Sequence, residues 1–274
     1  MEIKLIDSHS HLQFDAYDLD RNGVVRRMKD NGVSTIIIGG NLENSKKAVA
    51  LAEKDNFFAS IGLHPVHVEE LEDDLEAGKC LAENFNESDY QKLIKSNRVV
   101  GIGECGLDWF HLKDLRKKEI QKENFKKQID FSLKYKKPLI LHIRAKANLD
   151  AYYDALEILK QKGYGEKSQN SGVVHFFSAD LNIAKEFLKL GFYLSFTGVI
   201  TFTNVYDKII EGIPMDKILI ETDCPYVAPE PFRGKRNDPT MVKYVAEKIA
   251  KIKNLSFDKV AEVTKDNCEK LFDL

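Results

Sequence analysis

Two histidines stand two residues apart near the start of the chain, in the segment Asp7-Ser8-His9-Ser10-His11. They follow a short apolar run, which predicts a β-strand that ends beside them. Because side chains alternate between the two faces of a strand, His9 and His11 are expected to point in the same direction. Two imidazoles directed at one point form half of a site for a divalent metal ion. Since such pairs also arise by chance, the motif indicates a metal site only if other strand ends supply further ligands.

Four more candidate ligands each lie at or just after the end of a different apolar run. They are Glu104, His142, His175 and Asp223. Each of them alone has an ordinary structural explanation, such as a buried histidine, an ion pair or a helix cap. Together with the first pair they make four histidines and two carboxylates. This set is too large for one tetrahedral ion and fits two ions bridged by one carboxylate.

The apolar runs alternate with amphipathic stretches, which predicts strands and helices in turn. Eight strands are expected, at Lys4–Asp7, Ser34–Ile38, Phe57–Ile61, Val99–Gly103, Leu139–His142, Val173–Phe176, Tyr193–Phe196 and Ile218–Glu221. Helical patterns cover Leu42–Lys54, Leu115–Lys136, Ala151–Lys162, Asn182–Leu190 and the region from Thr240 to the C-terminus. This α/β pattern is typical of a closed (β/α)8 TIM barrel, and an open doubly wound sheet is the alternative. In a barrel the carboxyl ends of the strands meet on one face, which would bring the six candidate ligands together.

The composition describes an ordinary globular protein, with 43% hydrophobic and 31% charged residues among 274. No apolar run approaches the ~20 residues of a membrane span, and the N-terminus lacks the pattern of a signal peptide, so a cytoplasmic location is expected.

No repeat or linker divides the chain, and we expect a single domain over residues 1–274. Four cysteines are widely spaced and are interpreted as free thiols: Cys80, Cys105, Cys224 and Cys268. Cys105 and Cys224, beside presumed ligands, are interpreted as small packing residues, with metal ligation as the weaker alternative.

The net charge of −2 argues against a strongly basic nucleic-acid-binding domain. It is compatible with an enzyme that holds a few phosphates through metal ions and a local basic group. Arg233, Lys235 and Arg236 form such a group, although a solvated charge run explains each of them equally well.

Two segments between predicted strands are interpreted as loops from their composition. Glu69–Asp89 is acidic and is interpreted as a long surface excursion after the third strand, and Lys162–Gly172 as a turn before the sixth. His67 and His111 do not follow strand ends, and both are expected at the surface.

Short motifs occur in order along the chain. They are Asp7-Ser8-His9-Ser10-His11-Leu12, Gly62-Leu63-His64-Pro65, Gly103-Glu104-Cys105-Gly106-Leu107-Asp108, Leu141-His142-Ile143-Arg144-Ala145, His175-Phe176-Phe177-Ser178, Glu221-Thr222-Asp223-Cys224-Pro225-Tyr226 and Arg233-Gly234-Lys235-Arg236-Asn237-Asp238-Pro239. Over essentially its whole length the chain resembles the TatD-type metal-dependent deoxyribonucleases of the amidohydrolase superfamily. The acidic excursion looks longer than is usual there, and no ligand position is substituted.

The resemblance implies that two divalent ions, of Mg, Mn or Zn, are the cofactors. Their ligands would be His9, His11, Glu104, His142, His175 and Asp223. We assign the first pair and Asp223 mainly to one ion, the two later histidines to the other, and Glu104 to the bridge. Asp223 and Glu104 are the expected catalytic residues, with Asp223 accepting a proton from water. His64 is implied to hold a substrate phosphate, and Arg144 and the basic group are the further candidates for substrate binding.

The function predicted from these residues is hydrolysis of DNA phosphodiester bonds by a metal-activated water. The specific form expected is a 3′→5′ exonuclease on single-stranded DNA, active in DNA repair or turnover. The protein would then be a monomer with DNA as a transient partner and no membrane contact. One alternative is a metal-dependent hydrolase of an ester or amide, such as D-aminoacyl-tRNA, because fold and metal site do not fix the substrate. A non-catalytic binding protein is a weaker alternative, since no ligand is missing.

Overall fold

The computed structural model describes residues 4–73, 75–76, 78–146, 148, 150–165 and 171–274. Ten strands occur in these residues: β1 Leu5–Ser10, β2 Val33–Ile38, β3 Phe58–Ile61, β4 Leu71–Asp73, β5 Gly78–Cys80, β6 Val99–Asp108, β7 Leu139–Arg144, β8 Gly172–Val174, β9 Tyr193–Phe196 and β10 Ile218–Ile220. The nine α-helices in the same residues are α1 Arg21–Asp30, α2 Leu42–Asp55, α3 Glu87–Tyr90, α4 Lys118–Tyr135, α5 Asp150–Gln161, α6 Leu181–Lys189, α7 Asp207–Gly212, α8 Val242–Lys253 and α9 Phe257–Phe272.

Eight of the strands form one parallel sheet in the order β1-β2-β3-β6-β7-β8-β9-β10. An α-helix lies between each pair of consecutive strands of this sheet, as crossovers between parallel strands require. The sheet curves until its first strand meets the segment after its last strand. The predicted (β/α)8 barrel is therefore confirmed, and the open doubly wound sheet is excluded.

The barrel is closed by a seam between β1 and the residues that follow β10. A parallel bridge joins Ser10 to Cys224, and the backbone N–H of His11 donates to the Cys224 carbonyl over 2.8 Å. The buried carboxylate of Asp7 accepts from the backbone N–H and the hydroxyl of Thr222, over 2.8 and 2.5 Å. This seam holds the segment that contains Asp223 against the strand that contains His9.

The amino-terminal end of the barrel is filled by apolar side chains and sealed by α9. The buried residues of this cluster are Ile6, Ile36, Ile38, Val100, Ile140, Val173, Tyr193, Leu219, Cys268, Leu271 and Phe272. A Cβ built on Gly101 would lie 3.2 Å from both the Phe272 ring and the Ile140 side chain. The glycine therefore makes room for the helix that seals the barrel.

Helix starts follow from capping side chains outside the barrel. Asn41 accepts from the N–H of Asn44 at the start of α2, Asp180 caps α6, and Ser256 caps α9. Each such cap contributes about 1 kcal/mol. Ser256 also explains why the predicted C-terminal helical region is two helices, since it starts a new helix after α8 ends at Lys253. No helix in the described residues is long and apolar enough to cross a membrane.

The acidic segment after β3 is more ordered than the sequence indicates. β4 and β5 pair as an antiparallel hairpin within it, and Glu76, between them, is buried. The expected surface position of His67 is wrong, because this side chain is 2% exposed and its Nε2 lies 3.4 Å from Glu76 Oε1. The segment read as the turn 162–172 lies partly outside the described residues.

Candidate metal centre

The six predicted ligands all lie at the carboxyl ends of barrel strands. His9 is in β1 with His11 just after it, Glu104 is in β6, and His142 is in β7. His175 follows β8, and Asp223 follows β10. Because these strand ends converge, the six side chains form one cluster.

The first half of the cluster contains His9, His11, Asp223 and one oxygen of Glu104. The Nε2 atoms of His9 and His11 are 3.3 Å apart, and they lie 3.2 and 3.7 Å from Glu104 Oε2. Asp223 Oδ1 lies 3.6 and 3.5 Å from the same two nitrogens. Ligand atoms around a tetrahedral ion at 2.0–2.2 Å are about 3.4 Å apart. The spacing of these four donors therefore fits one divalent ion.

The second half surrounds the other oxygen of Glu104. Oε1 lies 2.8 Å from His142 Nδ1, 3.2 Å from His175 Nε2 and 3.3 Å from His64 Nε2. The ring of His175 also stacks on that of His9, with centroids 3.6 Å apart. Glu104 thus lies between two sets of imidazoles, and His64 contributes a donor to the second set.

Two glycines in β6 let this strand approach β7 closely enough for these contacts. Gly103 and Gly106 have φ of +149° and +140°. A Cβ on either residue would collide with a carbonyl oxygen of β7, that of Ile140 or of His142. Glycine tolerates both constraints because it has no Cβ. These residues therefore bring Glu104 against His142.

Two further carboxylates hold the histidines in place, and the sequence reasoning assigned neither of them a role. Asp108 lies 2.9 Å from His142 Nε2 and 2.7 Å from Nδ1 of the half-exposed His111. Glu221 lies 3.0 Å from His175 Nδ1. A carboxylate on the second ring nitrogen of a metal-binding histidine fixes its tautomer and orientation.

A sequence signal for both carboxylates exists. Asp108 lies four residues after Glu104 in β6 and Glu221 two residues before Asp223, spacings that place side chains on the same face of a strand. The alternation of side chains that places His9 and His11 on one face of a strand therefore also indicates Asp108 and Glu221.

Burial and neighbouring charges set the protonation of the cluster. Burial alone would lower the pKa of His142, but its hydrogen bonds to Asp108 and Glu104 raise it to about 9. The pKa of His175 is likewise lowered by burial and raised well above its usual value by Glu221 and Glu104. Without a metal ion, these two histidines therefore carry the positive charge that the carboxylates require.

Burial and neighbouring charges also set the pKa values of Glu104, Asp223 and His64. Burial would raise the pKa of both carboxylates. The surrounding imidazoles nevertheless hold the pKa of Glu104 well below its usual range, and the hydrogen bond to His11 lowers that of the largely buried Asp223. Burial and the nearby His142 lower the pKa of His64 to about 4. At neutral pH the cluster thus offers two carboxylates and a neutral His64 to a cation.

The cluster opens into a cavity of about 540 Å³. Arg144, Lys113 and Ser178 are on its wall together with His64. The basic group lies outside the lining in the part of the chain that the structure describes. Its Arg236 pairs with Asp20 over 2.6 Å, while Arg233 lies over the ring of Phe202. Of the predicted substrate-binding residues, His64 lies beside Glu104, and Arg144 lines the cavity without a recorded contact to the cluster in the described residues.

Cys105 and Cys224 are fully buried beside Glu104 and Asp223. Among the described residues, neither belongs to a group of side chains spaced to hold a metal ion. Their interpretation as packing residues agrees with this placement.

A parallel barrel with clustered histidines and carboxylates at its carboxyl-terminal face defines a metal-dependent hydrolase as the class of protein. The model of the family described as TatD related DNase matches residues 6–273, and the chain belongs to this family.

Known proteins support both the class, a metal-dependent hydrolase, and the family. The chain is 38% identical to the uncharacterized metal-dependent hydrolase YabD of Bacillus subtilis, over 98% of each protein. It is 32% identical to the uncharacterized metal-dependent hydrolase YcfH of Escherichia coli, over 98% of this chain and 95% of the relative. Among solved structures, the TatD homologue YjjV of Escherichia coli superposes with a TM-score of 0.84 at 26% identity over both whole chains. The resemblance to the TatD family is thus confirmed.

Proposed function

We propose that the protein hydrolyses phosphodiester bonds of DNA with two divalent metal ions, as a 3′→5′ exonuclease on single-stranded DNA. The observation that carries the proposal is the position of Glu104. One of its oxygens lies within 3.7 Å of His9 and His11, and the other within 3.2 Å of His142 and His175. A carboxylate with nitrogen donors on both sides is the arrangement expected of a bridge between two ions.

Each half of the cluster would hold one ion. His9, His11 and Asp223 would bind the first, and His142 and His175 the second, with Glu104 shared. Such ions, of Mg, Mn or Zn, supply a nucleophilic water at neutral pH and stabilise charge on phosphate oxygens. The identity of the ion is not set by these nitrogen and oxygen donors, which several divalent metals accept.

Asp223 is the residue that would take the proton from the attacking water. Its carboxylate is buried and only 14% of its side chain is exposed, yet its lowered pKa keeps it ionised at neutral pH. Its Oδ1 faces His9 and His11, and Asp223 also lines the cavity where the substrate would enter. Position and charge therefore both suit a proton acceptor.

The cavity wall would hold the phosphate that is attacked. His64 is neutral at neutral pH and can donate one hydrogen bond, and Arg144 is a planar cation able to bind two phosphate oxygens. Arg233 and Lys235 are exposed and outside the cavity, so we propose that they contact phosphates farther along the strand. Arg236 would contribute only after leaving Asp20.

A digest of single-stranded oligonucleotides labelled at the 5′ end tests this proposal. With Mg, Mn or Zn supplied in turn to the metal-free protein, we expect a ladder of labelled products that shorten from the 3′ end. Immediate release of the label as a mononucleotide, or a single internal cut, would contradict the direction. Absence of cleavage with every metal, together with hydrolysis of D-aminoacyl-tRNA, would replace the proposal by the esterase alternative.

Two variants tie the activity to the cluster. Glu104→Ala and Asp223→Ala should each abolish turnover while circular dichroism shows an unchanged fold. Glu262→Gln is the matched control, because this carboxylate is exposed on α9 and pairs only with Lys259 among described residues. Cleavage at the unmodified rate by either alanine variant would show that the site assignment is wrong.

A further inference from the structure

A second group of metal-ligating side chains lies beside the cluster and shares no residue with it. His67 is on the turn after β3, Glu76 lies between β4 and β5, and Cys80 ends β5. One donor atom from each residue lies within 4.8 Å of the other two. We propose that His67, Glu76 and Cys80 bind a zinc ion that is separate from the catalytic ions and fixes the β4–β5 hairpin.

The chemistry of the three donors favours zinc. An imidazole, a carboxylate and a thiolate are all regular zinc ligands, whereas Mg and Ca take oxygen donors and do not select a thiolate. Three protein ligands leave a fourth tetrahedral position for water. The set also differs in kind from the catalytic cluster, which has only nitrogen and oxygen donors.

The geometry of the buried pair supports a bound cation. His67 and Glu76 are 2% and 4% exposed, and His67 Nε2 lies 3.4 Å from Glu76 Oε1. This distance is long for a hydrogen bond but matches the separation of about 3.4 Å between ligands of a tetrahedral ion. His67 Nδ1 is also buried, with no hydrogen-bond partner among the described residues. Among the described residues, the His67 ring therefore makes no short hydrogen bond, and its Nε2 is available to an ion beside Glu76.

The carboxylate of Glu76 is also fixed by the start of α2, through the same Oε1 that lies 3.4 Å from His67 Nε2. The side-chain amides of Asn41 and Asn44, at the start of α2, both donate to its Oε1, over 2.9 and 2.5 Å. Hydrogen bonds of this kind orient a ligand before the ion arrives. Glu76 is thus held in position from α2 while it faces His67.

The position of the group indicates what the ion would do. Asp73, at the end of β4, accepts a hydrogen bond from the Tyr226 hydroxyl over 2.7 Å, and Asp73, Glu76 and Tyr226 all line the active-site cavity. The hairpin therefore forms part of the cavity wall. An ion that joins Cys80 and Glu76 to the turn at His67 would fix this wall to the barrel.

Cobalt substitution of the full-length protein tests the site without using activity. Sulfur ligation to Co²⁺ produces a charge-transfer band in the near ultraviolet, which nitrogen and oxygen ligands do not produce. We expect this band when the metal-free protein is saturated with Co²⁺. Because none of the proposed catalytic ligands is a sulfur donor, the band reports a thiolate ligand outside that set even if the proposed nuclease function fails.

Two cysteine variants make the test specific. Cys80→Ser should lose the band and one equivalent of bound metal per chain, and it should fold because Cys80 is partly exposed. Cys268→Ala is the control, because this buried thiol lies in the barrel core, and it should keep both. Absence of the band at saturation, or a band that persists in Cys80→Ser, overturns the proposal; persistence would instead point to Cys105 or Cys224 at the catalytic cluster.

Discussion

Glu221 would influence a bound metal ion through His175, without itself being a predicted ligand. Its Oε1 lies 3.0 Å from His175 Nδ1, and its Oε2 is buried without a hydrogen-bond partner in the residues described. The same Oε1 accepts a 2.7 Å hydrogen bond from the backbone N–H of Phe176, and the two contacts together direct His175 Nε2 towards Glu104. A negative charge at this position also makes the imidazole a better donor.

Glu221→Gln should weaken metal binding by about 10- to 100-fold, because loss of an outer carboxylate typically has this effect. The amide keeps the size of the side chain and removes its charge. Competition with a chromophoric chelator would measure the change, with Glu262→Gln as the control. Unchanged metal affinity would show that Glu221 only fills space.

His142 should make metal affinity depend on pH. Its pKa of about 9 in the metal-free protein means that it is protonated at neutral pH and must lose that proton to bind a metal ion. Affinity should therefore rise as the pH increases from 7 through about 9, and the raised pKa of His175 should add to the rise. Chelator competition across this range would test the effect, and an affinity independent of pH would contradict it.

The same pKa has the opposite effect on the metal-free fold. A histidine whose pKa is raised on folding stabilises the folded protein. This contribution is fully present at pH values below about 6.5, the pKa of histidine in the unfolded chain. That contribution is lost as the pH rises through about 9. The metal-free protein therefore loses this contribution over the range in which metal binding improves.

The cluster residues could be recognised from sequence because each occupies the end of an apolar run. The period of two that pairs His9 with His11 is a local property of the chain. Contacts such as that of His67 with Glu76 are not local. The acidic character of the segment around Glu76 predicted a solvated surface, whereas amides from α2 and the imidazole of His67 keep this carboxylate buried.

The strands of the barrel were predicted well in number and place, and their ends less well. β6 continues to Asp108, five residues past the predicted end at Gly103, because two glycines with positive φ keep it paired with β7. Sequence patterns indicate apolar runs, and these end before polar ligands begin. Whether a strand continues past its ligand residues depends on its pairing with the neighbouring strand, which the apolar pattern does not indicate.

The seam between β1 and the end of β10 should have a measurable effect on stability. Thr222→Val removes the hydroxyl that donates to Asp7 over 2.5 Å and leaves a buried carboxylate with one fewer partner. We expect a loss of about 1–3 kcal/mol in the free energy of unfolding of the metal-free protein. Urea denaturation would measure it.

Thr203→Val is the matched control, because this threonine is partly exposed and its hydroxyl accepts only a 3.3 Å bond from Val205 among the described residues. It should change the stability by less than about 0.5 kcal/mol. Equal effects of the two substitutions would show that the seam bond adds nothing.

The ligands come from five strands, so a bound ion links distant parts of the chain. Free metal at 100 times its dissociation constant should stabilise the folded state by about 2.7 kcal/mol for one site. At roughly 2–4 °C per kcal/mol, the midpoint of thermal unfolding should rise by about 5–11 °C. Scanning calorimetry with and without a chelator would measure the shift, and Glu104→Ala should reduce it; an equal shift in that variant would contradict the assignment.

The contact of α9 with the inside of the barrel bears on how the chain folds during synthesis. Leu271 and Phe272 pack against β1 residue Ile6, and the two segments are separated by almost the whole sequence. Until the ribosome releases α9, the inner faces of the strands remain open to solvent at the amino-terminal end. Contacts so distant along the chain form slowly, and exposed apolar strands aggregate. We therefore expect the nascent barrel to be prone to aggregation until α9 has been synthesised.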